Sequence, residues 1–246
     1  MKILYDPRLR TTEEIFSEED QLRFFSNYEV LIINENNAQQ QYSKWLPEAD
    51  IIISQQALDR TRLENAKNLK AIFNLETNFP PDMDYTYCAA RSIPVLTPSS
   101  VFALAVAKIG LAMALSLARN VYQAHADFQR GFENTGWRGV WVLNYSGVTV
   151  GILVYGDLGQ AVHKVLAGFK NRILACDPWL PNGLLQRNNL EAVGLEELLR
   201  RSRFIFVTAT ITTKNTSLLN AERLEWMQRG AMLILLSRAA IADFDD

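Results

Sequence analysis

The chain has 246 residues and 48% of them are apolar, enough to bury the core of one large domain or two smaller ones. Its net charge is −2 and its basic residues are scattered, which argues against a nucleic-acid partner. Two cysteines, Cys88 and Cys176, lie far apart with no C-x-x-C spacing, so reduced thiols in the cytoplasm are expected, and neither a disulfide nor a metal site.

Ile3-Leu4-Tyr5 reads as a first strand, too short an apolar run for a signal peptide. No uninterrupted apolar run approaches the roughly 18 residues of a membrane span, so no membrane partner is expected. Residues 30–33, 50–54, 69–74 and 93–96 read as further strands, with helical apolar spacing over 13–27 and 58–68. Strands that are continuously apolar and alternate with helices predict a parallel sheet covered on both faces. Residues 78–82 contain Pro80-Pro81 and read as a loop.

Ser99 or Ser100 can cap the next element. Residues 101–128 then read as one long apolar helix, with no proline and one glycine, Gly110. At about 1.5 Å per residue it would reach roughly 40 Å, suited to a place between two domains or two subunits. Residues 131–139 are glycine-rich and loop-like. A second β/α series follows: a strand ending near residue 154, a helix over 159–169, a strand over 172–176 and a helix over 195–201. A strand over 204–208, a helix over 221–227 and a strand over 231–236 complete it.

The start of that second series carries the chemistry. Val154, Gly156 and Gly159 form V-x-G-x-x-G between a buried strand and a helix. That arrangement aims the first N–H groups of a helix at a phosphate, although the dinucleotide pattern has glycine at the first position. A β-branched residue resists positive φ there, so either the turn takes a conformation valine tolerates or the loop is distorted. Asp177 ends the next strand, 21 residues past Gly156. An acid about 20 residues on accepts hydrogen bonds from the adenosine ribose, which favours NAD over NADP. Equally, Asp177-Pro178 can be a turn that ends a strand.

The order of these motifs resembles the D-isomer-specific 2-hydroxyacid dehydrogenases. The resemblance covers nearly the whole chain, and its most specific part runs over residues 147–245. It implies an α/β fold: a flavodoxin-like substrate domain (1–98) and an incomplete Rossmann-type, doubly wound parallel sheet (99–246), joined by the long helix. Gly156, Asp157, Leu158 and Gly159 would hold NAD, with Asp177 at the ribose and Thr208, Ala209 and Thr210 beside the cofactor. Arg238 falls where the family has its substrate-binding arginine, so it would touch the cofactor and act catalytically. A guanidinium can hold a substrate carboxylate and polarise a keto oxygen through paired donors. The backbone at Thr77 and Asn78 would bind the substrate, a 2-hydroxy or 2-keto acid. The family also pairs through its NAD domain, so a homodimer through the 101–128 helix is expected.

Several positions depart from the family pattern. Asp157 puts a negative charge at the phosphate turn. The substrate loop, residues 74–79, lacks glycine, and Glu76 would repel a carboxylate if it pointed inward. Lys108 stands where the family has a glutamate. The two histidines, His125 and His163, do not match the acid–base position, which lies further along the family's chain. A C-terminally truncated dehydrogenase with little or no turnover is therefore expected. The alternative is a nucleotide-binding or interaction protein that kept the fold without the chemistry.

Overall fold

The computed structural model describes residues 1–8, 10–132, 145–212 and 214–244. Most of the predicted glycine-rich loop over 131–139, together with Thr213 and Asp245, therefore lies outside the described residues. The chain divides into two compact units, Met1–Ser99 and Ser100–Asp246.

In the first unit, β1 (Lys2–Asp6), α1 (Thr12–Ile15), α2 (Glu18–Asn27), β2 (Glu29–Ile32) and α3 (Ala38–Trp45) come first. Then follow β3 (Ile51–Ser54), α4 (Arg60–Asn65), β4 (Ala71–Phe73), α5 (Tyr85–Ala90) and β5 (Val95–Leu96). The strands pair in parallel in the order β2-β1-β3-β4-β5. This is the flavodoxin-like 2-1-3-4-5 order, as expected. The predicted helix over 13–27 is two helices, because Thr11 and Ser17 each cap a separate first turn. Leu4, Ile52, Leu58, Leu63 and Ile72 form the centre of this unit's core.

The second unit begins with α6 (Ser99–Arg119) and α7 (Val121–Gln129), followed by β6 (Thr149–Leu153), α8 (Asp157–Leu166) and β7 (Arg172–Cys176). After these come α9 (Asn182–Arg187), β8 (Glu191–Ala192), α10 (Leu195–Arg201), β9 (Phe204–Val207), α11 (Ala221–Leu224) and β10 (Met232–Leu235). Its parallel strands run β10-β9-β6-β7-β8. Counted from β6 this is 3-2-1-4-5, the first five strands of the Rossmann order. Side chains alternate across the sheet. Phe204 and Phe206 pack with Val162 and Leu166 of α8 on one face, and Ile205 and Val207 pack with Leu198 and Leu199 of α10 on the other.

The single helix predicted over 101–128 is corrected to two. Asn120 breaks it with φ 53° and ψ 38°, the left-handed region that asparagine tolerates better than most residues. Nothing on α7 is buried, so no core contact holds it in register with α6. On α6 the buried positions are all small: Ala103, Ala107, Gly110, Ala114 and Ala118. This stripe lets the helix approach its unit closely, while Ile109, Met113 and Leu117 stay exposed one turn apart. Ser99–Arg119 is long and apolar enough to cross a bilayer by length and composition, although Lys108 and Ser116 interrupt its apolar run. Core helices of soluble proteins meet the same criterion.

Candidate functional site

In the second unit, neighbouring parallel strands place the loops after β6, β7, β9 and β10 along one sheet edge. Open α/β sheets bind ligands at this carboxyl edge. Gly156, Asp177, Thr208, Ala209, Thr210 and Arg238 lie on these loops, and Asp157, Leu158 and Gly159 form the first turn of α8 that follows the loop after β6.

Immediately after β6, Val154 turns the chain with φ +75°. Glycine's backbone geometry is thus kept by a β-branched residue, at a strain cost of about 1–3 kcal/mol. The expected choice between a valine-tolerant turn and a distorted loop is not what the structure takes. Three donors pin the turn. The Val154 N–H donates to the Cys176 carbonyl at 2.8 Å, the Thr208 N–H to the Leu153 carbonyl at 3.1 Å, and the Thr208 hydroxyl to the Val154 carbonyl at 2.5 Å.

The two glycines serve different ends. Gly156 caps α8 in an extended conformation, with no side chain bonding to the helix. A methyl group there would meet nothing within 4 Å. At Gly159 the added carbon would lie 2.5 Å from the Val154 carbonyl oxygen and 3.3 Å from both Ile152 and Thr208. Packing therefore demands Gly159, whereas Gly156 borders open space at a helix N-terminus, a place where a phosphate fits. Asp157 is exposed in the first turn of α8, where its charge favours the helix. Leu158 is half-buried beside it.

Asp177 is tied into the backbone. One carboxylate oxygen accepts the Tyr155 N–H at 2.8 Å; the other accepts the N–H groups of Trp179 at 2.8 Å and Leu180 at 3.1 Å. The strand-ending turn is therefore real, and it also joins the loop after β7 to the glycine turn. With two lone pairs per oxygen, the oxygen facing Tyr155 retains capacity for one more donor. Burial, then the Asp177 charge, pushes the Cys176 thiol up, which keeps it protonated. Cys88 is buried, and both thiols are free.

Thr208 is buried and acts as a clamp. Ala209 is buried, and its carbonyl accepts the Ser237 hydroxyl; Thr210 is exposed. That bond ties the loop after β9 to the segment carrying Arg238, which is exposed. In the first unit, Thr77 is exposed, and the Asn78 carbonyl accepts the side-chain amides of Gln55 at 3.2 Å and Asn74 at 3.3 Å. Gln55 also accepts the Glu76 N–H at 2.8 Å, and the Glu76 carboxylate pairs with Arg10 at 2.7 Å. The feared repulsion at Glu76 is thus met by a counter-charge. Lys108 is exposed on α6.

Two features escaped the sequence reading. Nδ1 of His163 lies 2.8 Å from the Tyr155 hydroxyl, and burial lowers the pKa of the imidazole. Gln55 bridges the substrate loop. Neither has a spacing signature. His125 is exposed on α7. No group of three or more metal-ligating side chains occurs among the described residues.

The chain is similar to several known proteins. A glyoxylate reductase of Pyrococcus horikoshii is 30% identical over 207 residues, which cover 81% of this chain and 62% of that protein. A hydroxypyruvate reductase of Thermotoga maritima is 26% identical over 96% of this chain and 76% of its own length. The chain thus spans about three fifths of the length of the first of these relatives. A solved phosphoglycerate oxidoreductase from Rhizobium etli superposes with a TM-score of 0.83 at 38% identity, covering 99% of this chain and 74% of that one. Residues 111–246 match the profile of the D-isomer specific 2-hydroxyacid dehydrogenase NAD binding domain, and the chain belongs to that family.

Proposed function

We propose that this chain binds NAD on the carboxyl edge of its second sheet and takes a small 2-hydroxy or 2-keto acid as its partner ligand. One observation carries the reading. Gly156 leaves open space at the N-terminus of α8, while Gly159, Thr208 and Asp177 fix the turn around it. In this reading Gly156, Asp157, Leu158 and Gly159 hold the pyrophosphate, and Asp177 accepts a ribose hydroxyl through its remaining lone pair. Its negative charge favours NAD over NADP. Thr208, Ala209 and Thr210 border the nicotinamide end. The bound dinucleotide supplies hydride chemistry.

In the second unit Arg238 is proposed to hold the substrate carboxylate and polarise its keto oxygen; in the first unit the backbone at Thr77 and Asn78 is the proposed substrate-binding segment. A third role, moving the hydroxyl proton near neutral pH, needs an acid–base group. His163 bonds to Tyr155 and His125 is exposed on α7, so neither is assigned that role. We therefore expect this 246-residue chain to bind NADH with little turnover of its own. The exposed Ile109, Met113 and Leu117 support a homodimer through α6, and the free, unpaired thiols support a cytoplasmic setting.

The test is calorimetric titration with NADH alongside an NADH-oxidation assay with glyoxylate and hydroxypyruvate. Binding with little oxidation supports the proposal. No binding rejects cofactor recognition, and rapid turnover rejects the missing acid–base step. Sedimentation giving a clean monomer would reject the dimer.

A further inference from the structure

The first unit has a pocket of its own that the proposed reaction does not use. It lies at the carboxyl ends of β1 and β3, where the strand order reverses direction. Such switch points are where open parallel sheets take ligands. Its volume is ≈ 670 Å³, within the range of small-molecule sites.

The sequence builds a rigid, polar wall there. Asp6 ends β1 fully buried. Its carboxylate accepts the Arg8 Nε–H at 2.7 Å and the Tyr42 hydroxyl at 2.8 Å, and also pairs with a terminal nitrogen of Arg8. Tyr42 lies 2.8 Å from the Ser54 hydroxyl, and Ser54 in turn accepts the Gln56 N–H at 2.9 Å. This network holds the Arg8 guanidinium in place at the pocket wall, and Asp6 engages only part of its five donors. A second guanidinium, Arg62 of α4, lines the same pocket. Arg62 donates to the Ala57 carbonyl at 3.3 Å and lies 5.8 Å from the centroid of the Tyr42 ring. Among the described residues it makes no ion pair, unlike Arg8. The first turn of α3 closes another side, and the Asn37 side chain caps none of it.

We infer that this pocket binds a small hydroxylated oxyanion, a carboxylate or a phosphate ester, with its anionic group between Arg8 and Arg62. Two guanidiniums in one concave site select a planar or tetrahedral oxyanion. The carboxamides of Asn36, Gln39 and Gln56 supply both donors and acceptors, which suit hydroxyl groups on the rest of the ligand. The exposed Glu35 carboxylate at the rim accepts from hydroxyls as well and disfavours a second negative charge there. The inference rests on the first unit alone and stands whether or not NAD binds the second.

The test is a nuclear magnetic resonance titration of the full chain with D-gluconate, glycerol 3-phosphate and inorganic phosphate, at ionic strength matched with sodium chloride. Saturable millimolar binding is expected for the two hydroxylated anions, with shifts at the Gln56 amide and the Arg62 Nε–H. The stronger of the two identifies the preferred oxyanion. Arg62→Gln should weaken binding by about tenfold or more, and Arg62→Lys by less. Gln56→Glu, which leaves the Ser54-to-backbone bond in place, should abolish it by placing a carboxylate in the pocket. NADH affinity should not change in any of these variants. Absence of saturable shifts with all three probes, or full affinity in Gln56→Glu, would overturn the inference. Inorganic phosphate binding as tightly as the hydroxylated anions would also overturn it.

Discussion

Replacing Gly159 with alanine separates the packing role of the glycine turn from its ligand role. The added carbon would sit 2.5 Å from the Val154 carbonyl oxygen, so α8 or the turn must shift by about 1 Å to restore ordinary contact. Overpacking of this kind costs about 1–3 kcal/mol. Disturbing the Thr208 bond to the same carbonyl adds about 1 kcal/mol. Alanine returns up to about 1 kcal/mol as the better helix former. The net expectation is a loss of about 1–3 kcal/mol, read as a lower urea midpoint by circular dichroism, together with weaker NADH binding. Gly156→Ala is the contrast, because its new methyl group meets no protein atom within 4 Å. Its stability cost should stay near that of a poorer helix cap, about 1 kcal/mol or less. Its NADH affinity should still fall by about tenfold or more, since the methyl group occupies the space assigned to phosphate. If Gly159→Ala is as stable as the parent chain, the packing argument is wrong. If Gly156→Ala binds NADH normally, the phosphate lies elsewhere.

The remaining expectations concern single groups. Asp177→Ala removes the acceptor for three backbone N–H groups and should cost about 1–3 kcal/mol, measurable by urea denaturation; an unchanged midpoint would show that water replaces the carboxylate. Burial depresses the pKa of folded His163, so below the unfolded value of about 6.5 the unfolded chain binds the extra proton. Stability contributed by this group is complete above that pH and is lost as pH falls toward the folded value. His163→Gln should flatten that part of a pH–stability profile, and an equally steep profile would remove His163 as the cause. Arg238→Gln should abolish the effect of a 2-keto acid on the fluorescence of bound NADH while leaving NADH affinity intact. A retained keto-acid effect would remove the arginine from the substrate site.

Much of this was legible from residue order. Parallel strands buried on both faces, such as Phe-Ile-Phe-Val at 204–207, announce themselves by composition. The Gly156, Gly159 and Asp177 spacing located the edge where the loops converge. The break at Asn120 was missed because apolar spacing resumes on both sides of it, while the left-handed conformation is one that asparagine tolerates without any change in that spacing. The small-residue stripe of α6 was also hidden: periodicity marks apolar positions, and this helix is apolar on most sides. The Asp6, Tyr42 and Ser54 network joins residues up to 48 positions apart through the sheet register, and no local pattern encodes such contacts. Thr208 was found for its place after a strand. Its work as a clamp on Val154 depends on an atom-level approach between two loops.

The positive φ at Val154 bears on how freely this position can change. The backbone of the turn is fixed by its surroundings, by the Cys176 carbonyl on one side and Thr208 on the other. The residue identity is therefore freer to change than the conformation, within the strain the fold can carry. Valine and glycine codons differ only at the second base, so a point mutation interconverts the two residues at this position. Descendants of such a gene could lose and regain glycine here without ever rebuilding the turn. A pattern search that insists on all three glycines would pass over such lineages while their backbones remain superposable.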